Sequence, residues 1–208
     1  SREGNLLYFG QQISTQVSIS GLAITNTKNA YIYSLAGNPQ NTLTPVKVQI
    51  SGMTTSNVNA GPKSFVNVYE GSVMTITDST IRNVFSFADG AFLTAGYRNA
   101  IAEVKNSLLQ YNAGINGGVF MVENDSTIKL TNCTIADNVG VVAGVIKAHN
   151  NGIFEINQSR IFSNRALAVT ISQIFDVTFT SNIIGCEIYS NFYISKESII
   201  SLLDSSIN

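Results

Sequence analysis

Glu103, Lys129 and Glu155 stand at intervals of 26 residues, and so do Glu123 and His149. Arg160 and Glu187 are 27 apart. Two carboxylates can do general acid–base work on a glycosidic bond, and a His–carboxylate pair can hold or move a proton. If each period is one rung of a stack, Glu103 and Glu155 lie two rungs apart, roughly 9.5 Å at Cα from the spacing of neighbouring strands. That is the upper edge of the carboxylate separation used by inverting glycosidases. A catalytic acid needs a raised pKa, and Lys129 between the two would lower it. The column therefore reads first as an outward ladder of alternating charge, each pair contributing about 0–1 kcal/mol. His149 falls one rung from Glu123, yet no nucleophile is tied to the pair, so it reads as a polar bend. Arg160 and Glu187 read as a surface ion pair.

Other chemistry is sparse. The aspartates Asp78, Asp89, Asp125, Asp137, Asp176 and Asp204 are expected to be scattered over different corners, which leaves no dense acidic cluster. There is no Cys/His spacing for a metal and no phosphate-binding glycine loop; "NGG" at Asn116–Gly118 is turn chemistry. The sequence thus offers no catalytic set, no cofactor site and no metal site. Cys133 and Cys186 lie two rungs apart with Ser159 between them, again roughly 9.5 Å at Cα. A disulfide needs Cα atoms within about 7 Å, so no disulfide is expected. Asn124, Asn132 and Asn157 begin N-glycosylation sequons, candidates only for a chain on a eukaryotic secretory route.

What must position these residues is the repeat itself. "VKNSLLQYN" (Val104–Asn112), "LTNCTIADN" (Leu130–Asn138), "INQSRIFSN" (Ile156–Asn164) and "IIGCEIYSN" (Ile183–Asn191) are one phrase. Anchored on its first apolar residue, the phrase starts at Ile19, Ile50, Ile76, Val104, Leu130, Ile156, Ile183 and Leu202. The steps are 31, 26, 28, 26, 26, 27 and 19 residues. One position before the anchor is polar. Two after it come Gly21, Gly52, Asp78, Asn106, Asn132, Gln158, Gly185 and Asp204, mostly residue types that tolerate tight bends. Three after come Ser79, Ser107, Cys133, Ser159, Cys186 and Ser205, small and expected to point inward. Five after come Ile24, Ile81, Leu109, Ile135, Ile161, Ile188 and Ile207. The closing Asn112, Asn138, Asn164 and Asn191 suggest a ladder of stacked amides.

Apolar alternation over three or four positions fits short strands, and no helical period is sustained. Short strands, sharp bends and a fixed period describe an all-β, parallel β-helix (a solenoid) of about seven to eight coils of about 26 residues. One coil cannot bury its inner face alone; stacked coils share a continuous core. The chain reads as one β-helix segment over 1–208. Its coils are less regular over 1–60, regular over 61–191 and decayed over 192–208. The first residues look like a cut into a longer protein.

The second recurring phrase, "DGAFL" (Asp89–Leu93), "GGVFM" (Gly117–Met121) and "AGVIK" (Ala143–Lys147), follows the closing Asn. Together the two phrases, over about Ile76 to Asn191, resemble the paired motifs of polymorphic outer-membrane proteins, with Leu or Ile where that family prefers Phe. The resemblance implies a right-handed β-helix exposed outside the cell, serving adhesion or structure. Pectin lyases and polygalacturonases share the fold class, but their sites need clustered carboxylates. An ice-binding array is also disfavoured, because the column Thr54, Thr80, Leu108, Thr134, Arg160, Glu187 is broken.

Composition narrows the function further. Only 12% of residues are charged and the net charge is −1, which argues against nucleic acid as a partner and gives no attraction to an anionic membrane. No apolar run is long enough for a spanning helix, so no membrane contact is expected within this segment. The leading expectation is a non-enzymatic structural or adhesive segment of a larger extracellular or cell-surface protein. Its partners would be other segments of that protein, neighbouring surface proteins or glycans. The alternative is a polysaccharide lyase or glycoside hydrolase on the same fold. A third option, an intracellular structural rod, is compatible with reduced cysteines.

Overall fold

A computed structural model describes residues 5–10, 16–35, 46–167, 173–177, 181–189, 200–203 and 206–207. Among these residues there is no helix; short strands alternate with bends and turns. Every strand pairing is parallel, and the strands fall into three sheets that run the length of a β-solenoid of about six turns. The expected seven to eight coils include stretches outside the described residues.

Each turn visits the sheets in a fixed order. Sheet B carries the anchor strand, for example Val73–Thr77, Ile101–Lys105, Thr127–Thr131 and Ile153–Asn157. Sheet C follows with two short legs, such as Leu108–Gln110 and Ala113–Gly114. Sheet A, with Leu93–Gly96, Phe120–Glu123 and Ala143–His149, closes the coil. The anchors are in register from Ile19 to Leu202: Ile19 on Ile50, Ile50 on Ile76, Val104 on Leu130, Leu130 on Ile156, Ile156 on Ile183, Ile183 on Leu202. The long first step and the short last step both belong to the stack.

Three recurring bends are made by residues in the left-handed region, and Asn29 and Gly61 add another on the step into sheet A in the first coils. The column two after the anchor, Gly21, Gly52, Asp78, Asn106, Asn132, Gln158 and Gly185, has φ between 47° and 66° throughout. A second such column, Asn26, Asn57, Asn83, Tyr111, Asp137 and Ser163, precedes the closing Asn. The third bend, between sheets A and B, uses two adjacent left-handed residues in Glu70–Gly71, Asn124–Asp125 and Asn150–Asn151, but three in Tyr97–Asn99. That extra residue is half of the reason why the step from Ile76 to Val104 is 28 rather than 26.

The other half corrects the alignment of the second phrase. Gly117 does bridge to Ala143. Leu93, however, lies beside Phe120, not Met121. The N–H groups of Phe92 and Leu93 both donate to the Val119 carbonyl, at 2.9 and 3.1 Å. One residue is absorbed there, so "DGAFL" is shifted by one against "GGVFM".

The interior is continuous. Val48, Ile50, Met74, Ile76, Ala102, Val104, Ile128, Leu130, Phe154 and Ile156 line sheet B, and Ile81, Leu109, Ile135, Ile161 and Ile188 line sheet C; all are buried. Phe65, Phe92 and Phe120 fill the third corner, the last two edge to face with ring centroids 6.1 Å apart. Complete burial of each such side chain is worth roughly 1.5–3 kcal/mol.

Two polar columns penetrate this core, each hydrogen-bonded along the axis. In the small column, the Ser79, Ser107 and Ser159 hydroxyls donate to the carbonyl two residues back. Ser107 and Ser159 each also accept the backbone N–H of the preceding coil. Cys133 and Cys186 do the same work: each thiol contacts carbonyl oxygens at 3.3–3.4 Å, and Cys186 Sγ accepts the Ser159 N–H. Burial pushes the Cys133 thiol up to about 11 and raises Cys186 as well, so neither is a reactive thiolate at neutral pH.

The closing-Asn ladder is realised. Asn112 Nδ2 donates to Asn138 Oδ1 at 3.0 Å, and Asn138 Nδ2 to Asn164 Oδ1 at 2.9 Å. The Oδ1 atoms of Asn112, Asn138 and Asn164 accept the backbone N–H of Val84, Asn112 and Asn138, respectively, in the coil before. Each Nδ2 also reaches a carbonyl of the preceding coil: Ile81, Leu109 and Ile135. Asn191, the expected fourth member, lies outside the described residues, as do Asp204 and Ser205.

Candidate functional site

The solenoid presents the ionisable residues as columns, and each column has its own chemistry. Glu103, Lys129 and Glu155 share one column on the outer face of sheet B, in register on adjacent coils. Lys129 pairs with Glu155 at 3.1 Å, while Glu103 turns along its own strand to Lys105 at 2.7 Å. All four are partly solvent-exposed. Nothing in this column leaves a carboxylate held for acid chemistry. At the N-terminal end of the same face a groove of about 290 Å³ is lined by Ser18, Ser20, Gln49, Ser51, Thr75 and Thr77, without an ionisable group. Arg160 and Glu187 meet at 2.9 Å on sheet C and are both well exposed.

Sheet A is different. Its outer face is covered around the middle coils, so that Asn67, Thr94, Met121 and Tyr69 are buried although they point away from the core. The segments that lead into sheet A do this covering. Ser64 donates to the Gly90 carbonyl and contacts Thr94 Oγ1 at 2.6 Å, and Asn67 Nδ2 donates to the Ser64 carbonyl. Gly90 lies so close to the Phe120–Met121 backbone that a Cβ would stand 2.6–2.9 Å from it. The preceding residue is Asp89.

At the edge of this cover, Glu123 and His149 stand side by side in register, with Nε2 to Oε2 at 3.1 Å. Burial raises the Glu123 pKa against the opposing charges of His149 and Lys147, and Asp89 raises it further. Burial likewise raises Asp89, and Lys63, the Asn116 amide and His149 pull it back. Asp89 lies within electrostatic reach of the Glu123–His149 pair. Among the described residues no three His, Cys, Asp or Glu side chains converge as metal ligands would.

Four tyrosines lead up to this cluster. Tyr8 stacks on Tyr33 with centroids 5.7 Å apart; Tyr33 meets Tyr69 at 5.2 Å and Tyr69 meets Tyr97 at 5.4 Å, both edge to face. Lys63 sits over the Tyr33 ring at 5.2 Å. Tyr69 is in register with Gly96. A Cβ on Gly96 would stand 3.0 Å from Glu123 Oε1 and 3.1 Å from Tyr69 Cε1. The missing side chain lets the ring and the carboxylate lie over the strand from either side. Burial first, then the charge of Asp89, raises the Tyr69 hydroxyl, which stays protonated at neutral pH.

The three sequon asparagines fall on the outside of the coil. Asn132 is exposed in a left-handed bend and its Nδ2 donates to Asn106 Oδ1 at 3.0 Å. Asn124 is partly buried at the A-to-B bend and accepts from Asn150. Asn157 ends a sheet B strand, partly buried.

No protein-family model matches the chain, and no curated protein or solved structure matches it.

Proposed function

We propose that this chain is a non-enzymatic structural or adhesive β-helix segment of an extracellular or cell-surface protein, with a right-handed coil. The handedness rests on the general rule that parallel crossovers turn right-handed. The observation that carries the functional reading is the fate of the in-register charges. Lys129 separates Glu103 from Glu155 and pairs with Glu155, so the two carboxylates nearest to glycosidase geometry are bound up in surface pairs. The recurring polar residues of the motif are likewise spent on ladders along the axis. Other segments of the same protein, neighbouring surface proteins or glycans fit as partners, and Asn132 has the exposure a glycan acceptor needs.

One observation favours a second reading, a polysaccharide lyase or glycoside hydrolase: Asp89 and Glu123 both have raised pKa values and both lie near His149. Incubation with polygalacturonate and alginate, with and without calcium, separates the two. The scaffold reading expects no chain cleavage. Turnover lost in Asp89→Asn, Glu123→Gln, Glu103→Gln or Glu155→Gln would replace it with the enzyme.

A further inference from the structure

We propose that an apolar face on the second leg of sheet C pairs with a second copy of this chain, the two solenoids lying antiparallel. This rests on the structural or adhesive reading and names the partner. The face has two outward columns on four adjacent coils. Phe85, Ala113, Val139 and Arg165 form the first, in register from coil to coil. Two residues further along each coil stand Phe87, Ile115, Val141 and Leu167. The Val141 and Leu167 N–H groups donate to the Gly114 and Gly140 carbonyls of the coil before. Between the columns Ser86, Gly114, Gly140 and Ala166 are buried, so the chain alternates in and out as a strand does. Phe85, Phe87, Ile115, Val141 and Leu167 are each more than a third exposed. They make one contiguous surface rather than scattered single residues.

The size of this surface suits a modest interface. A whole aromatic side chain presents about 150–250 Å², so the five side chains together expose roughly 400 Å², the scale at which a patch on a monomer is often functional. Buried on two copies, it supplies roughly 800 Å² of apolar core. With a polar rim added, that is the low end of specific interfaces. The rim is present. Asn59 and then Lys28 continue the first column beyond Phe85, and Arg165 ends it on the other side. Arg165 is exposed and makes no ion pair among the described residues.

The charges choose the orientation. A two-fold pair of parallel solenoids sets each coil against its own copy, so that Arg165 meets the partner's Arg165 and Lys28 the partner's Lys28. An antiparallel pair has its two-fold axis between the coils of Ala113 and Val139, and the columns then meet in reverse order. Phe85 lies against the partner's Arg165, and Phe87 against the partner's Leu167. Ala113 lies against the partner's Val139, and Ile115 against the partner's Val141. Each guanidinium covers an aromatic ring, a contact that strengthens when it is shielded from water. The two arginines end up at opposite ends of the interface.

Sedimentation equilibrium of the whole chain at protein concentrations up to about 1 mM is the test, with the thermal midpoint of each variant measured alongside. The expected result is a reversible monomer–dimer equilibrium. Ile115→Asp should weaken it about tenfold or more while leaving the thermal midpoint of the monomer close to that of the wild type. Arg165→Ala should weaken it about fivefold, since each pair holds two of the ring contacts. Ile153→Asp, at an exposed apolar position on sheet B, should pair as the wild type. A protein that stays monomeric over the whole range would overturn the proposal. So would equal losses in Ile153→Asp and Ile115→Asp, or tighter pairing in Arg165→Ala, the mark of a parallel pair. A monomer whose Ile115→Cys thiol resists a maleimide would overturn it too, because this chain's own segments would then cover the face. Pairing is read independently of sugar cleavage. A monomer that leaves polygalacturonate intact loses this interface and keeps the scaffold; a dimer that cleaves it keeps the interface and loses the scaffold.

Discussion

Two ladders run along this solenoid with the same geometry and different physics. Asn112, Asn138 and Asn164 stack one per coil inside the wall, and Glu103, Lys129 and Glu155 stack one per coil outside it. The asparagines are at most 1% exposed, while the Lys129 and Glu155 side chains are 39% and 30% exposed. The buried ladder has its amide oxygens and nitrogens matched to backbone and neighbouring amides. The outer one offers charge to water and salt. A fixed axial repeat thus does not set the value of a contact; shielding from water does.

The comparison breaks most readily at Asn138. Replacement by Leu removes the acceptor of the Asn112 N–H and Nδ2 and the donor to the Leu109 carbonyl. Each buried group left without a partner costs about 1–3 kcal/mol, so Asn138→Leu should lose about 3 kcal/mol or more in urea unfolding. A loss below about 1 kcal/mol would mean that the amide stack follows the coil rather than holding it.

A bend residue should fall between the extremes. Asn132 sits at φ 52° and bonds Asn106 across an exposed surface. Asn132→Ala should cost about 1 kcal/mol, mostly from the left-handed backbone, and Asn132→Gly clearly less.

Asp89 tests shielding on the outer side. Its folded pKa is raised, so the native state binds this proton more tightly than the unfolded chain. The associated stability is present below the unfolded carboxylate pKa, about 3.9, and is lost as pH rises through the folded value. Asp89→Asn should therefore be more stable than the wild type at pH 7, with the difference vanishing at acid pH. A difference that grows on acidification would reverse the assignment of burial as the cause.

The smallest effect is expected at Lys129. Lys129→Ala should cost about 0.2–1 kcal/mol at low salt and nothing measurable in molar salt.

How much of this was legible in the sequence follows from the same distinction. Positions at a constant offset from the anchors were readable: the aliphatic columns, the small inward column, the first left-handed bend, the Asn ladder and the Glu123–His149 pair. The second bend column was missed because Tyr111 and Ser163 are not bend-forming types; there the stack imposes the conformation. The step into sheet A was aligned one residue out, since a shared carbonyl at Val119 leaves no mark in the sequence. That Asp89 lies within electrostatic reach of Glu123 was not legible because Asp89 is on that same step, where loop length rather than the period decides position. The tyrosines at 8, 33, 69 and 97 share no common offset; strand register joins Tyr8 to Tyr33, and ring contacts join the rest.

A pair of double-mutant cycles tests the central claim most directly, that axial stacking holds the rod together where it is dry. One cycle uses Asn112→Ala and Asn138→Ala, the other Lys129→Ala and Glu155→Ala, each by urea unfolding at low and at molar salt. The account predicts coupling above about 1 kcal/mol for the asparagines, unchanged by salt, and below about 1 kcal/mol for the ion pair, abolished by salt. Equal couplings, or an asparagine coupling that salt removes, would contradict it.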